Sequence, residues 1–435
     1  MVVFDTIPKV REGKVMKKKR NNRVISCYLT VAVMCALLFS GCQETETSEK
    51  VKELNVITDA SLRDQVEEAA DQIMDLKEDW KIDVQILPES NAEREQQIKK
   101  LRTQIMAGKG PDVYLLDTAV DNAADPKIPL LENPYKTMQS GAFAALDRYM
   151  EKDTYWEEST YKKEFLKAGQ YEGKQYILPL SVECFVMTSD PGAALPQGET
   201  LGDWLNEVRQ SDDQQLKGAM YSLWVTAGRW FEPAADYEKG EVLFRKEAWQ
   251  EFASSYMKIR SKEWEALSYT DESPYSIGNM GDFCRSGTDK NMQIVPDIEG
   301  RKMASVKAYG AVGMSSSYKQ EAYEFLMLFL NDELEEKRGE QGLSTMITGY
   351  IDTFGVPVQE SAFESYVLSS GQEEDIIPVF REIEGAYFVT DAERNLYAGI
   401  SNLAFSKEGS GDNLEAEISK LAEEAQRDYE MMITE

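Results

Sequence analysis

Residues 98–117 read IKKLRTQIMAGKGPDVYLLD, and this stretch decides the fold. Ile98, Leu101 and Ile105 recur at helical spacing, and Gly108 stands where a helix ends, because glycine adopts the left-handed conformation without a Cβ penalty. Gly110-Pro111-Asp112 makes a turn, and Val113-Tyr114-Leu115-Leu116 is a short apolar strand. The same alternation precedes it. Leu54–Thr58 reads as a strand, Leu62, Val66, Ala69, Ala70 and Ile73 share a helical face, and Ile82, Val84 and Ile86 alternate as a second strand. Strands alternating with helices predict a parallel sheet covered on both faces, with ligands bound beyond the carboxyl ends of the strands. Asp59 and Asp117 stand at two such ends.

Further along, Tyr171-Glu172-Gly173-Lys174 has the form of a hairpin turn, and Gln175–Met187 is largely apolar. Residues 200–265 are helix-rich and aromatic. Tyr309–Met314 reads as a strand, and Ser317-Tyr318-Lys319-Gln320 fits a capping box opening a helix with Ala322, Phe325, Leu326 and Phe329 inward. Leu414, Ile418, Leu421, Ala422, Ala425 and Tyr429 form the stripe of a long C-terminal helix.

The N-terminus carries an address. A basic block at Lys17–Arg20 and Arg23 precedes an apolar run over Val24–Phe39 and then Ser40-Gly41-Cys42. That order is a secretory signal peptide, and the run is short for a spanning helix of about 20 residues. The small residues before Cys42 resemble a bacterial lipobox, with Phe39 where leucine is usual, so Cys42 is the expected lipidation site and mature N-terminus, carrying palmitate-type acyl chains. Met16 begins Met-Lys-Lys-Lys-Arg, a natural start that leaves residues 1–15 outside the native frame. Residues 42–53 then serve as a flexible tether.

The 435 residues carry 48 basic and 77 acidic side chains, a net charge of −29, which repels nucleic acid. A chain of this length divides into two bodies around separate cores. Of five cysteines, Cys27 and Cys35 leave with the signal and Cys42 is acylated; Cys184 and Cys284 remain, too few for a disulfide framework or a cysteine metal cluster. There is no histidine, which removes His-based triads, most zinc sites and the usual general base. Ser316-Ser317-Tyr318-Lys319 matches the S-x-x-K of penicillin-recognising enzymes, but no S-D-N or K-T-G triplet follows. The chain therefore reads as a non-enzyme, with no cofactor and no metal.

Four stretches together resemble the extracellular solute-binding proteins of ABC carbohydrate-uptake systems, the maltose-binding-protein family. They are Ala107–Val113, similar to "aGxGPDv"; Tyr171–Pro179, similar to "yeGKxYgxP"; Tyr309–Leu330, similar to a small-residue strand followed by "eaAxeFlxfL"; and the C-terminal helix. The resemblance implies an α/β fold of two lobes (the type II periplasmic-binding-protein fold), each a mixed, mostly parallel sheet flanked by helices, with a ligand cleft between them. It implies an N-terminal lobe of 54–180 and 296–350 and a C-terminal lobe of 181–295 and 351–435. Crossings then fall near Pro179–Glu183, Val295–Pro296 and Gly349–Pro357. The implied protein is a monomer on the outer face of the bacterial cytoplasmic membrane that closes on a sugar or oligosaccharide and presents it to ABC permease subunits. A related two-lobed lipoprotein serving as a sensory or adaptor module, or binding a non-sugar solute, needs the same cleft.

Pro179-Leu180-Ser181-Val182-Glu183 resembles the hinge stretch whose glutamate hydrogen-bonds the sugar, so Glu183 is a candidate ligand contact; a salt-bridged hinge glutamate is the plain alternative. Tyr221, Trp224 and Trp230 lie in a Tyr-x-x-Trp stretch similar to the family's sugar-stacking aromatics, against ordinary core packing. For Asp59 and Asp117 the alternative is capping of the turns they begin. Leu116 stands where the family's strand carries a stacking tryptophan, Thr188-Ser189-Asp190 replaces "yNk", and the glycine-rich "GkaAM" stretch has no counterpart over 265–295. Mass spectrometry of the membrane-extracted protein should find an N-terminal Cys42 carrying acyl mass, and Cys42→Ser should release the chain from membranes; an unmodified Cys42 removes the lipid anchor.

Overall fold

The structure, a computed structural model, describes residues 51–118, 127–153, 156, 161–221, 234–259, 273–286, 290–330, 355–369, 376–405 and 413–434. Three parallel strands open it. β1 (Lys52–Asp59) pairs in parallel with β2 (Trp80–Leu87) and with β3 (Val113–Asp117), placing β1 between them. The connecting helices Arg63–Leu76 and Asn91–Met106 bury the stripes expected of them, Val66, Ala69, Ala70 and Ile73 on one and Ile98 and Leu101 on the other. All five residues of β3 are buried, as befits a strand covered on both faces.

A hairpin of β4 (Gln170–Tyr171) and β5 (Lys174–Gln175) turns at Glu172-Gly173 and leads into β6 (Ile177–Glu183). One residue later the chain is in a different sheet. β7 (Phe185–Ser189) is the centre of a three-stranded sheet flanked by β10 (Tyr275–Asn279) and β11 (Asn291–Ile294), with the small hairpin of β8 (Ala235–Asp236) and β9 (Glu241–Val242) between them in sequence. The chain then returns as β12 (Met303–Val312), followed by β13 (Val356–Pro357) and β14 (Gly385–Tyr387). The large sheet is thus seven-stranded, in the order β13-β6-β12-β3-β1-β2 with β14 on β12.

The sheets are less parallel than expected. β12 runs antiparallel to both β3 and β6, β13 runs antiparallel to β6, and both pairings of the small sheet are antiparallel. The reason is entry point: a chain returning from the second body arrives at the carboxyl ends of β1 and β3 and must run against them. The expected lobe boundaries also shift. Leu180 is not the last residue of the first body, because β6 stays paired to β12 through Glu183. Residues 356–387, assigned to the second lobe, belong to the large sheet: β13 and β14 pair there, and Phe363, Val367, Ile376, Val379 and Phe380 bury in its core. Ser317 does not cap the helix Lys319–Met327; Tyr318 is its N-cap, without a side-chain cap bond, and Ser316 Oγ instead accepts the Tyr318 N–H at 3.1 Å.

The second body has its own core. Trp204, Trp249, Tyr256, Ile418 and Tyr429 pack together beneath the small sheet, drawn from the helices Leu201–Gln210, Lys246–Ile259 and Leu414–Thr434. Tyr429 also donates its hydroxyl to the buried Glu393 at 2.8 Å, and the other oxygen of Glu393 accepts the Thr390 N–H at 2.7 Å. That carboxylate ties the start of the helix Asp391–Phe405 to the C-terminal helix. Trp249 is wholly buried, so Trp249→Ala should cost about 3–5 kcal/mol in denaturant unfolding.

Candidate functional site

The carboxyl ends of β1 and β3 carry a buried ion cluster. The β1 strand delivers Asp59 and the helix Asn91–Met106 delivers Arg94, each 1% exposed, and Arg94 Nη2 reaches Asp59 Oδ1 at 2.5 Å. Asp59 Oδ2 accepts the Asp117 N–H at 3.0 Å. Lys127 Nζ lies 2.9 Å from Asp117 Oδ2 and 3.4 Å from Asp59 Oδ1, and the Ser61 hydroxyl donates to Asp117. Two acids and two bases leave the cluster formally neutral, the condition under which buried charge is tolerated. Burial and the neighbouring Asp59 push the Asp117 carboxyl above its usual range, and Lys127 and Ser61 oppose them.

The cluster also shapes the wall of the site. Arg94 donates to the carbonyls of Ile128 at 2.5 Å and Pro88 at 3.0 Å, and Arg102 donates to those of Pro129 and Leu130 at 2.8 and 3.0 Å. Residues 128–130 are therefore strapped across the helix Asn91–Met106 by two guanidinium forks. Asp59 and Asp117 act as strand-end anchors in this conformation, with both carboxylate oxygens of Asp59 and Oδ2 of Asp117 on protein partners.

Glu183 stands at the crossing between sheets. Its Oε1 accepts the N–H of Cys184 at 3.0 Å and of Gly281 at 3.2 Å. Gly281 is the second residue of the helix Met280–Ser286, and Met280 N–H donates to the Cys184 carbonyl at 2.9 Å. Ser305 on β12 donates its hydroxyl to the Glu183 carbonyl at 3.3 Å. The fit is close. A Cβ on Gly281 would stand 2.9 Å from Glu183 Oε2 and from Gly355 Cα, and Gly355, at φ +92°, would drive one to 2.3 Å from the Val182 carbonyl. Burial dominates the acidity here: it pushes the Glu183 carboxyl up to about 7, against the pull of Lys307 and the two backbone donors. Cys184 and Cys284 beside it are buried.

Lys307 and Thr118 escaped the sequence reading, as did Arg94 and Lys127. Thr118 follows Asp117 directly and hydrogen-bonds β12 twice, its N–H to the Lys307 carbonyl at 2.8 Å and its hydroxyl to the Val306 carbonyl at 2.6 Å. Lys307 is half-buried on the strand between β3 and β6, so its charge sits between the Asp117 and Glu183 positions. No sequence signal marks a lysine in a small-residue strand as a site residue except its polarity in an otherwise apolar run. A further contact joins the bodies: Tyr135 stacks on Tyr237 with ring centroids 4.8 Å apart, and Tyr135 Oη accepts the Phe388 N–H at 2.9 Å. Of the aromatic candidates, Tyr221 closes the helix Gln214–Tyr221, while Trp224 and Trp230 lie outside the described residues, as does Cys42.

No family model matches the chain, and no curated protein matches it in sequence. Solved structures do. The sugar-binding protein MalE of Xanthomonas citri aligns at TM-score 0.58 and 10% identity, over 88% of this chain and 100% of its own. An extracellular solute-binding protein family 1 structure from Alicyclobacillus acidocaldarius aligns at 0.56 and 13%, over 88% and 99%. An ABC substrate-binding protein of Listeria monocytogenes, solved with cycloalternan, aligns at 0.53 and 15%, over 86% and 98%. The chain has the two-lobed α/β fold of type II periplasmic-binding proteins.

The upward shift of the Glu183 carboxyl has a signed consequence. Between its ordinary value of 4.5 and about 7, the folded state holds a proton that the unfolded state has released, so stability falls as pH rises through that window. Stability of the wild type relative to Glu183→Gln should decline by about 3 kcal/mol from pH 4.5 to 7 and stay level above it. A flat difference would place the carboxyl in a solvated setting.

Proposed function

We propose that this chain is the exported solute receptor of an ABC importer, capturing a sugar or oligosaccharide between its lobes and presenting it to a membrane permease. The observation that carries this reading is the meeting of hydrogen-bonding charge and crossing strands at one end of the large sheet. Asp59, Asp117, Lys307 and Glu183 all stand at the end where the chain passes between bodies, which is where ligands bind in open α/β sheets. The aligned proteins of known ligand, the cycloalternan complex among them, bind sugars on this fold. A hydroxyl-rich solute suits preorganised charged acceptors and donors.

Within this reading, Glu183 has two duties that exclude each other in the enclosed conformation. Gly281 and Gly355 close around its carboxylate, so contact with a ligand requires the crossing to open. Asp117 and Lys307 are the nearer candidates, Asp59 supports Asp117 by accepting its backbone N–H, and Tyr221, Trp224 and Trp230 are proposed as the stacking face from the second lobe. The lipid anchor is proposed on Cys42, with the receptor a monomer on the outer face of the cytoplasmic membrane. Among the described residues no helix is long and apolar enough to cross a membrane. A non-sugar polar solute is the second reading, favoured by the charge of the described cleft residues.

A thermal-shift screen of the chain against mono- and oligosaccharides, with amino acids, polyamines and short peptides as controls, separates the two. A saccharide at a hundred times its Kd should add about 2.7 kcal/mol of stability. Lys307→Met should then weaken that binding about 10- to 100-fold, the loss of a charged hydrogen bond, while leaving the unliganded melting temperature near the wild type's. A response to the controls alone would overturn the sugar assignment and keep the receptor.

A further inference from the structure

The large sheet has a second end, opposite the site. β1, β2 and β3 begin there, and β12 finishes there, since Val312 pairs with Val113. Six large apolar side chains are exposed among the described residues, and four of them stand at this pole. Val51 precedes β1; Leu76 ends the helix before β2; Met106 ends the helix before β3; Met314 follows β12. Leu76 is 77% exposed and Met106 89%, values of side chains with almost nothing packed on them. Isolated exposed apolar residues are ordinary, but their gathering on one pole marks a contact surface.

Charge and connectivity say what covers it. On a chain of net charge −29, this pole mixes its charges: Lys52, Lys77, Lys109, Arg148, Lys174 and Lys319 stand among Asp75, Glu78, Asp79, Asp147 and Glu321. A recess of about 520 Å³ is lined by the apolar Ala144, Ala145 and Met314 together with Arg148, Lys174, Lys319 and one acid, Asp147. Cations beside apolar side chains match the layer of a bilayer where headgroup phosphates meet acyl chains. The chain enters the described fold at Val51, whose carbonyl accepts the Tyr318 hydroxyl at 3.5 Å, one residue from Lys319 of that recess. Cys42 is nine residues earlier in sequence, a reach of about 30 Å when extended.

We propose that this pole is a bilayer-docking surface, so that the anchored receptor rests with Leu76, Met106 and Met314 against the lipid headgroups and its cleft directed away from the membrane. The proposal rests on the acylation of Cys42, which holds the pole at high effective concentration near the lipid and lets a weak contact suffice. Delivery to a permease then requires the receptor to lift and turn, so docking holds it in the capturing orientation.

Three exposed methionines report on this directly, because oxidation follows exposure. The full chain as processed in the cell is reconstituted on vesicles of phosphatidylcholine with phosphatidylglycerol, floated, and pulsed with hydroxyl radical. Peptide mass spectrometry then reads Met106, Met314 and, as an internal control, Met431, which is 52% exposed on the C-terminal helix. Met106 and Met314 should oxidise several-fold more slowly on vesicles than in detergent, with Met431 unchanged, and Leu76→Glu together with Lys109→Glu should restore the Met314 rate. Rates at Met106 and Met314 on floated vesicles equal to those in detergent overturn docking and leave the anchor standing. A chain that does not float overturns the anchor and docking with it. Protection in native membranes but not on lipid vesicles assigns the pole to a protein partner and overturns the lipid surface.

Discussion

The passage from β6 to β7 occupies a single residue, Cys184, and the rest of the architecture depends on satisfying the backbone around it. A chain that leaves one sheet and joins another within one residue exposes donors and acceptors that neither ladder can use. Here the Glu183 carboxylate takes the N–H groups of Cys184 and Gly281, and the Cys184 carbonyl takes the N–H of Met280. Ser305 and β13 close the other sides. Four segments distant in sequence thus meet around one residue, Glu183. Two of them meet it through glycine, because the space between Gly281 and Gly355 leaves no room for a Cβ. The cost of that enclosure appears as the weakened acidity of Glu183, whose carboxyl is pushed up to about 7.

The strand-end acids solve a different problem. Asp59 and Asp117 bring two negative charges to the ends of adjacent parallel strands, where mutual repulsion would open the sheet. Arg94 and Lys127 neutralise them, and the same Arg94 pins the chain that follows β3. A site wall built this way is stiff, since moving residues 127–130 would strand a buried ion pair. Under the proposed receptor reading, such rigid support and the compact crossing beside it would let two bodies keep their shape while one junction changes.

Much of this was legible beforehand where the physics is local. The helical stripe of Leu62, Val66, Ala69, Ala70 and Ile73, the strand alternation of Ile82, Val84 and Ile86, and the turn at Glu172-Gly173 all appear as read, because each depends on neighbours within a few residues. Strand direction after β6 was not legible. β12 and β13 take their antiparallel sense from where the chain re-enters the large sheet, and no periodicity records that. Residues 356–387 mislead for the same reason, since their helices are amphipathic in either body and only packing of Phe363 and Phe380 selects the large sheet. At the site, Asp59, Asp117 and Glu183 could be found by their place at strand ends, whereas Arg94 and Lys127 could not. A helical arginine among many surface charges gives no sign of being the one that is buried.

By itself the sequence determined the class of fold, the order of the opening strands and helices, and the placement of acids at the strand ends. Side-chain periodicity and turn chemistry act over a few residues and are written in residue order. The tertiary structure alone decided that those acids are neutralised by Arg94 and Lys127, that Glu183 is enclosed by Gly281 and Gly355, and that the exposed Leu76, Met106 and Met314 share one pole. Each of these joins residues tens to hundreds of positions apart, and burial, which sets their energetics, exists only once the sheets have closed over them.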